Sequence, residues 1–414
     1  MPDIPGLETR RGSSATPGAG RSRTGDARKS LPGHVDGRPV GSHRTRPPPP
    51  AASRSSRGAR CMETRGPATP GGYPAIMTPA RASRHAGPEY LAGGTIAPPM
   101  KYGFQVLTYG SPWVEVLATA RRLEVLGYDY LFGHDHLYST GGDPYQGFFE
   151  GWTTLAAWAQ ATTRISLGLT VGNNTFRNPG VVAKMATTVD HISNGRSIFG
   201  LGAGNVELEA VAHGLPWAPT GVRLDWLEEA LTIIRGILAG ETVSQDGPTY
   251  RFQGVHHAPL PQRRPLPILI GAQGEQKGLR VAARFADIWQ IFVPVDGLDF
   301  WRRKDEVFRV HCAALDRDPS EVERMVGCKL IIRSNPGEAR KAFEHLRAVH
   351  KWNESVWDVT WAASPEQVAE ALIGFRALGV QSFLPQLAWP FDQETIDRLI
   401  GDVAPLVDQA TASV

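Results

Sequence analysis

From Met100 onward, short apolar, β-branched runs alternate with longer stretches whose apolar residues recur every three or four positions, the two periods that separate strand from helix. The runs predict strands over 102–108, 129–133, 165–171, 197–201, 267–271, 287–292, 325–332 and 382–387. Helical spacing lies between them, over 113–126, 150–161, 179–192, 223–238, 276–285, 300–314, 336–348 and 365–378, with a last helix over 393–407. Residues 165–209 set the topology. Two apolar runs flank a segment with Val181, Val182, Met185, Val189 and Ile192 at helical spacing, a βαβ unit that implies parallel strands. Eight such repeats predict an α/β protein of the (β/α)8 TIM-barrel class, with a doubly wound sheet as the competing arrangement. Two segments interrupt the alternation: a polar excursion over 205–222, and 241–265, whose Asp246-Gly247 pair reads as a hairpin turn.

The first 99 residues are different in kind. They hold 16 of the 33 prolines and the run PPPP at 47–50, with almost no hydrophobic period, a composition that cannot bury a core. They carry 15 Lys and Arg against 6 Asp and Glu, net +9, which leaves 29 against 35, net −6, for residues 100–414. The expected organisation is therefore a disordered Arg/Pro/Gly-rich tail over 1–99 and one barrel domain over 100–414. The tail reads as a regulatory arm, a transit-like peptide, or translation from upstream of a true start at Met100, the last being favoured. A basic arm on an acidic body argues against nucleic acid as partner. No signal-type apolar region and no run of 18 apolar residues occurs, so the expected setting is cytoplasmic, with no membrane. Cys312 and Cys328 lack metal-ligand spacing and read as ordinary buried residues, as expected in a reducing compartment, with Cys61 in the tail.

The chemistry concentrates where strands end. GAQGEQKG follows the fifth strand and opens a helix, so the amides of Gly271, Ala272, Gln273 and Gly274, with Lys277 close by, form a candidate phosphate cradle. Arg177 and Arg223 are secondary anion candidates. GLGAGNVELE superficially matches a dinucleotide fingerprint but lacks the third glycine, Val206 and Glu207 following Asn205. His134, Asp135 and His136 have ligand chemistry, but neighbours on a strand point to opposite faces and no further ligand cluster is visible, so no metal is expected. Tyr109, Trp113, Trp152, Trp217, Trp289, Phe292 and Trp389 can stack on a ring or line an apolar pocket, though most are expected in the core.

FGHDHL, EGWTTLAAWAQATTRISLG, AKMATTVDHISNGR, GLGAGNVELEA, RLDWLEEALTIIRGIL and PILIGAQGEQKGLRVAARFADIWQ occur in this order. Together they resemble the luciferase-like monooxygenase superfamily, in particular its branch using the deazaflavin coenzyme F420, over residues 100 to about 408. The resemblance implies a barrel binding a flavin-type ring at its C-terminal mouth, commonly as a homodimer. It puts the Asp135-His136 pair beside the reacting ring carbon, with His136 as the catalytic candidate, since imidazole titrates in range to act as base or acid. It sets the ring on a non-proline cis peptide matching Thr170-Val171, followed by Gly172, Asn173 and Asn174, and places Ala203, Gly204 and Asn205 along the ring or its side chain. Two positions depart from the sugar-phosphate dehydrogenases of that branch: Asn205 replaces an acidic residue and Thr140 a tryptophan, which argues against that substrate. The expected activity is hydride transfer between F420 and a small organic substrate. The alternatives are a monooxygenase using reduced FMN from a flavin reductase, and a barrel that binds a flavin, or nothing, without catalysis.

Overall fold

The computed structural model describes residues 98–412. The tail expectations therefore lie outside the described residues, apart from its last two positions. Eight strands close a barrel: Lys101–Val106 (β1), Tyr130–Gly133 (β2), Ser166–Leu169 (β3), Ser197–Gly202 (β4), Ile268–Gly271 (β5), Ile288–Phe292 (β6), Glu323–Gly327 (β7) and Ser382–Phe383 (β8). Each pairs in parallel with the next, and β8 pairs with β1, so the (β/α)8 expectation holds and the doubly wound sheet does not. Three strands break and resume nearer the mouth: β3 at Gly172–Asn173, β7 at Lys329–Ile332 and β8 at Gln386–Leu387.

The helices follow the predicted spacing. Trp113–Leu126 and Pro179–Ile192 fall at the expected bounds, the second started by Asn178, whose side chain accepts from Gly180 N–H, and by Pro179 in the first turn. The polar excursion contains the short helix Glu207–Ala212. The 241–265 insertion carries the expected hairpin, Val243–Asp246 against Arg251–Val255. One strand was not predicted. Thr360–Ala363 adds in parallel to the outer edge of Lys329–Ile332, in the last crossover between helices Pro336–His350 and Pro365–Ala377. It is four residues long, too short for an alternating pattern to declare itself.

Tyr130, Phe132, Ile198, Leu269, Ile288, Met325 and Leu384 fill the barrel as one buried cluster, with Val171 packed on it. Above this plug the interior turns polar, with Gln105, Gln290 and Thr170 buried. Gly200 permits the closest approach between β3 and β4, because a Cβ there would stand 1.7 Å from the Leu169 carbonyl oxygen. Among the described residues no helix is long and apolar enough to cross a membrane. Cys312 and Cys328 are both free and buried.

Candidate active site

β2 ends at Gly133, and the chain enters a long loop through His134, Asp135 and His136. Asp135 is buried and both of its oxygens are taken: Arg177 donates to Oδ2 at 2.6 Å and to Oδ1 at 3.0 Å, and Asn173 N–H donates to Oδ2 at 2.9 Å. Burial pushes the Asp135 carboxyl above its ordinary value, against the opposing pull of Arg177. Arg177 also pairs with Glu150, which caps helix Gly151–Ala161 by accepting from Trp152 and Thr153 N–H. Asp135 thus ties the loop after β2 to the one after β3. Arg223, the other anion candidate, donates to the carbonyls of Ala203, Gly204 and Ala218 and lies 3.7 Å over the Trp217 ring. Arg177 clamps two carboxylates, and Arg223 holds backbone in place.

His136 has a partner that sequence reasoning missed. Its Nδ1 lies 2.8 Å from Oε1 of Glu209, whose side chain is fully buried, while Oε2 accepts N–H bonds from Leu137 at 2.8 Å and Tyr138 at 3.3 Å. A carboxylate receiving two N–H donors acts as acceptor, so Nδ1 of His136 carries the proton and Nε2 is the basic nitrogen. The His136 side chain is 13% exposed. Glu209 is 73 positions away in sequence. Its one signal was an acidic residue on the buried face of a helix just after a glycine turn.

The Thr170-Val171 bond is cis. Gln105 donates to the Thr170 carbonyl, and Val171 is close to both Gly202 and Gly271, where a Cβ would meet it at 2.5 Å and 3.1 Å. Gly204 has φ +77° and lies against Asn173, whose side chain would be 2.6 Å from a Cβ there. Thr170, Val171, Gly172, Asn173, Ala203, Gly204 and Gly271 therefore form one cradle at the mouth of β3, β4 and β5. Asn205, Gln273 and Gly274 are exposed at its rim. The phosphate loop is narrower than expected. Ala272 N–H bonds Gln290 O at 3.2 Å, the helix starts at Gly278, and Lys277 is engaged by Asp225 at 2.7 Å. Of the aromatic candidates, Trp289 is core, stacked on Trp301 and Phe308. Trp152 is buried against Phe199. Tyr109 is buried beside His134 and His350, with ring centroids 6.1 and 5.0 Å away.

Several buried polar atoms around this cradle have no partner: His134 Nε2, Thr170 Oγ1, Asn173 Nδ2, Gln290 Nε2 and His350 Nδ1. Buried polar groups are normally paired, so this arrangement suits a flat heteroaromatic ring whose edges carry carbonyl and imino groups. Burial lowers the pKa of His134 and of His350, and brings Lys329 down to about 8. A cavity of about 640 Å³ lies at the opposite end of the barrel, lined by Lys101, Asp129, Arg164, Asp287 and Glu323 among others.

The family described as luciferase-like monooxygenase matches residues 99–382. The chain belongs to that family. Among curated relatives, an F420-dependent glucose-6-phosphate dehydrogenase of Intrasporangium calvum is 32% identical over 230 residues, 53% of this chain and 65% of its own. An uncharacterised protein of Mycobacterium tuberculosis is 31% identical over 205 residues, 46% of this chain and 71% of its own. Two solved structures in the family's fold span both chemistries. A coenzyme F420-dependent tetrahydromethanopterin reductase of Methanopyrus kandleri superposes with TM-score 0.60 at 18% identity, covering 74% of this chain and 99% of that one. A long-chain alkane monooxygenase does so with TM-score 0.63 at 13% identity, covering 76% and 92%. At such identities the structures establish the shared barrel and not the reaction.

Proposed function

We propose that the mouth binds F420 and that the protein transfers a hydride between the coenzyme and a small organic substrate, with His136 moving the accompanying proton. The observation that carries this reading is the His136–Glu209 pair, which stands next to a cradle whose buried polar atoms lack partners. Thr170 to Asn173, Ala203 and Gly204 would hold the ring, and the exposed amides of Gln273 and Gly274 would meet its phosphate. When bound, F420 supplies a ring carbon, C5, that accepts or gives two electrons and a proton equivalent as hydride. In the oxidising direction the substrate hydroxyl proton passes to Nε2 of His136. In the reducing direction the imidazolium returns it to the developing oxyanion or nitrogen. Glu209 keeps Nδ1 protonated and offsets the charge of the imidazolium, as a buried carboxylate partner does for a general-base histidine.

Sugar phosphates are disfavoured on this reading, because Arg177, Arg223 and Lys277 are all engaged and Asn205 and Thr140 stand where sugar-phosphate dehydrogenases carry an acidic residue and a tryptophan; an alcohol, imine or activated alkene is the substrate class proposed. Titration with F420 and, separately, with FMN, followed by fluorescence quenching, tests the proposal. Selective binding of F420 is expected. Preference for FMN, especially reduced FMN, would move the protein to oxygen chemistry fed by a flavin reductase and make oxygen uptake the next assay.

A further inference from the structure

Lys329 opens the second half of β7, and its ammonium is engaged only by neutral groups. It donates to Gln386 Oε1 at 2.5 Å and lies 4.4 Å from the Trp352 ring centroid. Gln386 Nε2 donates to Gln105 Oε1 at 2.8 Å, and Gln105 Nε2 donates to the Thr170 carbonyl. The direction of this chain does not depend on how the two amides were assigned. An ammonium has no acceptor and a carbonyl no donor, so the ends force every link to donate from Lys329 towards Thr170. Three hydrogen bonds thus run from β7 across β8 and β1 to the peptide bond at the head of the cradle, aligned head to tail from a fixed positive charge.

Around Lys329 stand His134 from the loop after β2, His350 from the end of helix Pro336–His350, and Cys328 beside it in the chain. Burial keeps the two imidazoles unprotonated and the thiol un-ionised near neutral pH. No ion pair of Lys329 occurs among the described residues, whereas Lys101, Lys277 and Lys304 each face a carboxylate. Lys329 is half-buried, and a partly desolvated ammonium without an anion is unfavourable, so its retention calls for a use of its field.

We propose that Lys329, through Gln386 and Gln105, is a positioning residue that polarises the Thr170-Val171 peptide and favours the electron-rich, ionised form of the ring held on it. This rests on the ring-binding reading above. A unit charge acting over roughly 10 Å at an effective dielectric near 20 changes an ionisation constant by about tenfold.

The test uses the full chain and the absorption spectrum of bound oxidised F420 across pH, or of reduced FMN if that is the ring bound; in each ring the ionised form has a distinct spectrum and forms near neutral pH, below the pH at which Lys329 loses its charge. Lys329→Met is expected to raise the pH at which the bound ring ionises by about one unit, a tenfold change, and Gln105→Leu by a smaller amount in the same direction, because it keeps the charge and removes only the hydrogen-bonded path, while Lys329→Arg stays near wild type. A merely structural role would change affinity without moving that midpoint. An unmoved midpoint in Lys329→Met, or the same displacement in Lys329→Arg, overturns the relay while leaving the cofactor reading intact. Should Lys329→Met not fold, Gln105→Leu decides alone, since it keeps the lysine and cuts the chain. A wild-type protein that binds neither ring overturns both.

Discussion

The two ends of the barrel are built from the same eight strands and treat polar groups in opposite ways. At the floor the acidic groups at the strand starts are matched, while one buried nitrogen there, Arg324 Nη2, has no partner. Glu323 receives Lys101 at 2.6 Å and the Tyr130 hydroxyl at 2.8 Å, Asp129 receives Tyr102 N–H at 2.9 Å, and Asp287 receives Ile268 N–H at 2.7 Å. At the mouth, five buried polar atoms have no partner, an ammonium faces neutral groups, and a buried carboxylate pairs with a histidine. A cavity of about 640 Å³ also lies at the floor, so volume points to the opposite end from the unpartnered atoms. A satisfied network contributes to stability; an unsatisfied one marks where a ligand completes the structure.

The sharpest way to break this comparison is at His136. His136→Ala should lower turnover by about 10²- to 10⁴-fold, the usual range for loss of a general acid–base group, while cofactor affinity changes by no more than a few fold. Steady-state kinetics alongside a binding titration separates the two, and unchanged turnover would take His136 off the catalytic list. Glu209→Gln should act in the same direction by a smaller factor, because the amide no longer compels Nδ1 to carry the proton.

A second test separates positioning from chemistry. Arg177→Met leaves the buried Asp135 carboxylate without its bidentate partner and should destabilise the fold by about 3 kcal/mol, the loss typical of breaking one side of a buried pair. Urea unfolding measures it. A variant of wild-type stability would mean that the Asp135–Arg177 bracket does not hold the two mouth loops together.

How far the sequence reached follows the same division. The barrel was legible because strand and helix periods are local, and a parallel βαβ repeat leaves few topologies open. The pieces of the cradle, Thr170 to Asn173 and Ala203 to Gly204, were legible because resemblance carries linear motifs. Glu209, the Lys329 relay and the Arg177 bracket were not. Gln105 and Gln386 lie 281 positions apart, and only barrel closure brings β1 beside β8. Lys277 shows the converse: adjacent in sequence to the phosphate loop, it is turned to Asp225 by the neighbouring helix Thr220–Ala239.

Lys329 also links the comparison to pH. With its folded pKa near 8 and an unfolded value about 10.4, the native state binds fewer protons between those limits. Its unfavourable contribution is therefore fully present below pH 8 and fades as pH rises towards 10.4. Lys329→Met should be more stable than wild type at pH 7, by about 2 kcal/mol once the linkage is discounted for the partial exposure of the side chain, and that advantage should shrink by pH 10. Urea midpoints of the two proteins at both pH values test this, the difference between them cancelling other groups that titrate there. A constant advantage would mean that burial of the charge is not what the lysine contributes.

The smallest effect belongs to the floor and serves as the control for all the others. Lys101 is 46% exposed and pairs with Glu323, an arrangement worth about 0.5 kcal/mol at a partly solvated site. Lys101→Met should therefore shift stability by less than 1 kcal/mol and leave both turnover and cofactor affinity at wild-type values. The charge it removes stands at the N-terminal end of β1, with the apolar plug of Tyr130, Phe132, Met325 and Leu384 between it and the cradle. If Lys101→Met altered cofactor affinity as strongly as a change at the mouth, the two ends would be coupled through that plug, and the unpaired atoms at the mouth would no longer suffice to locate the site.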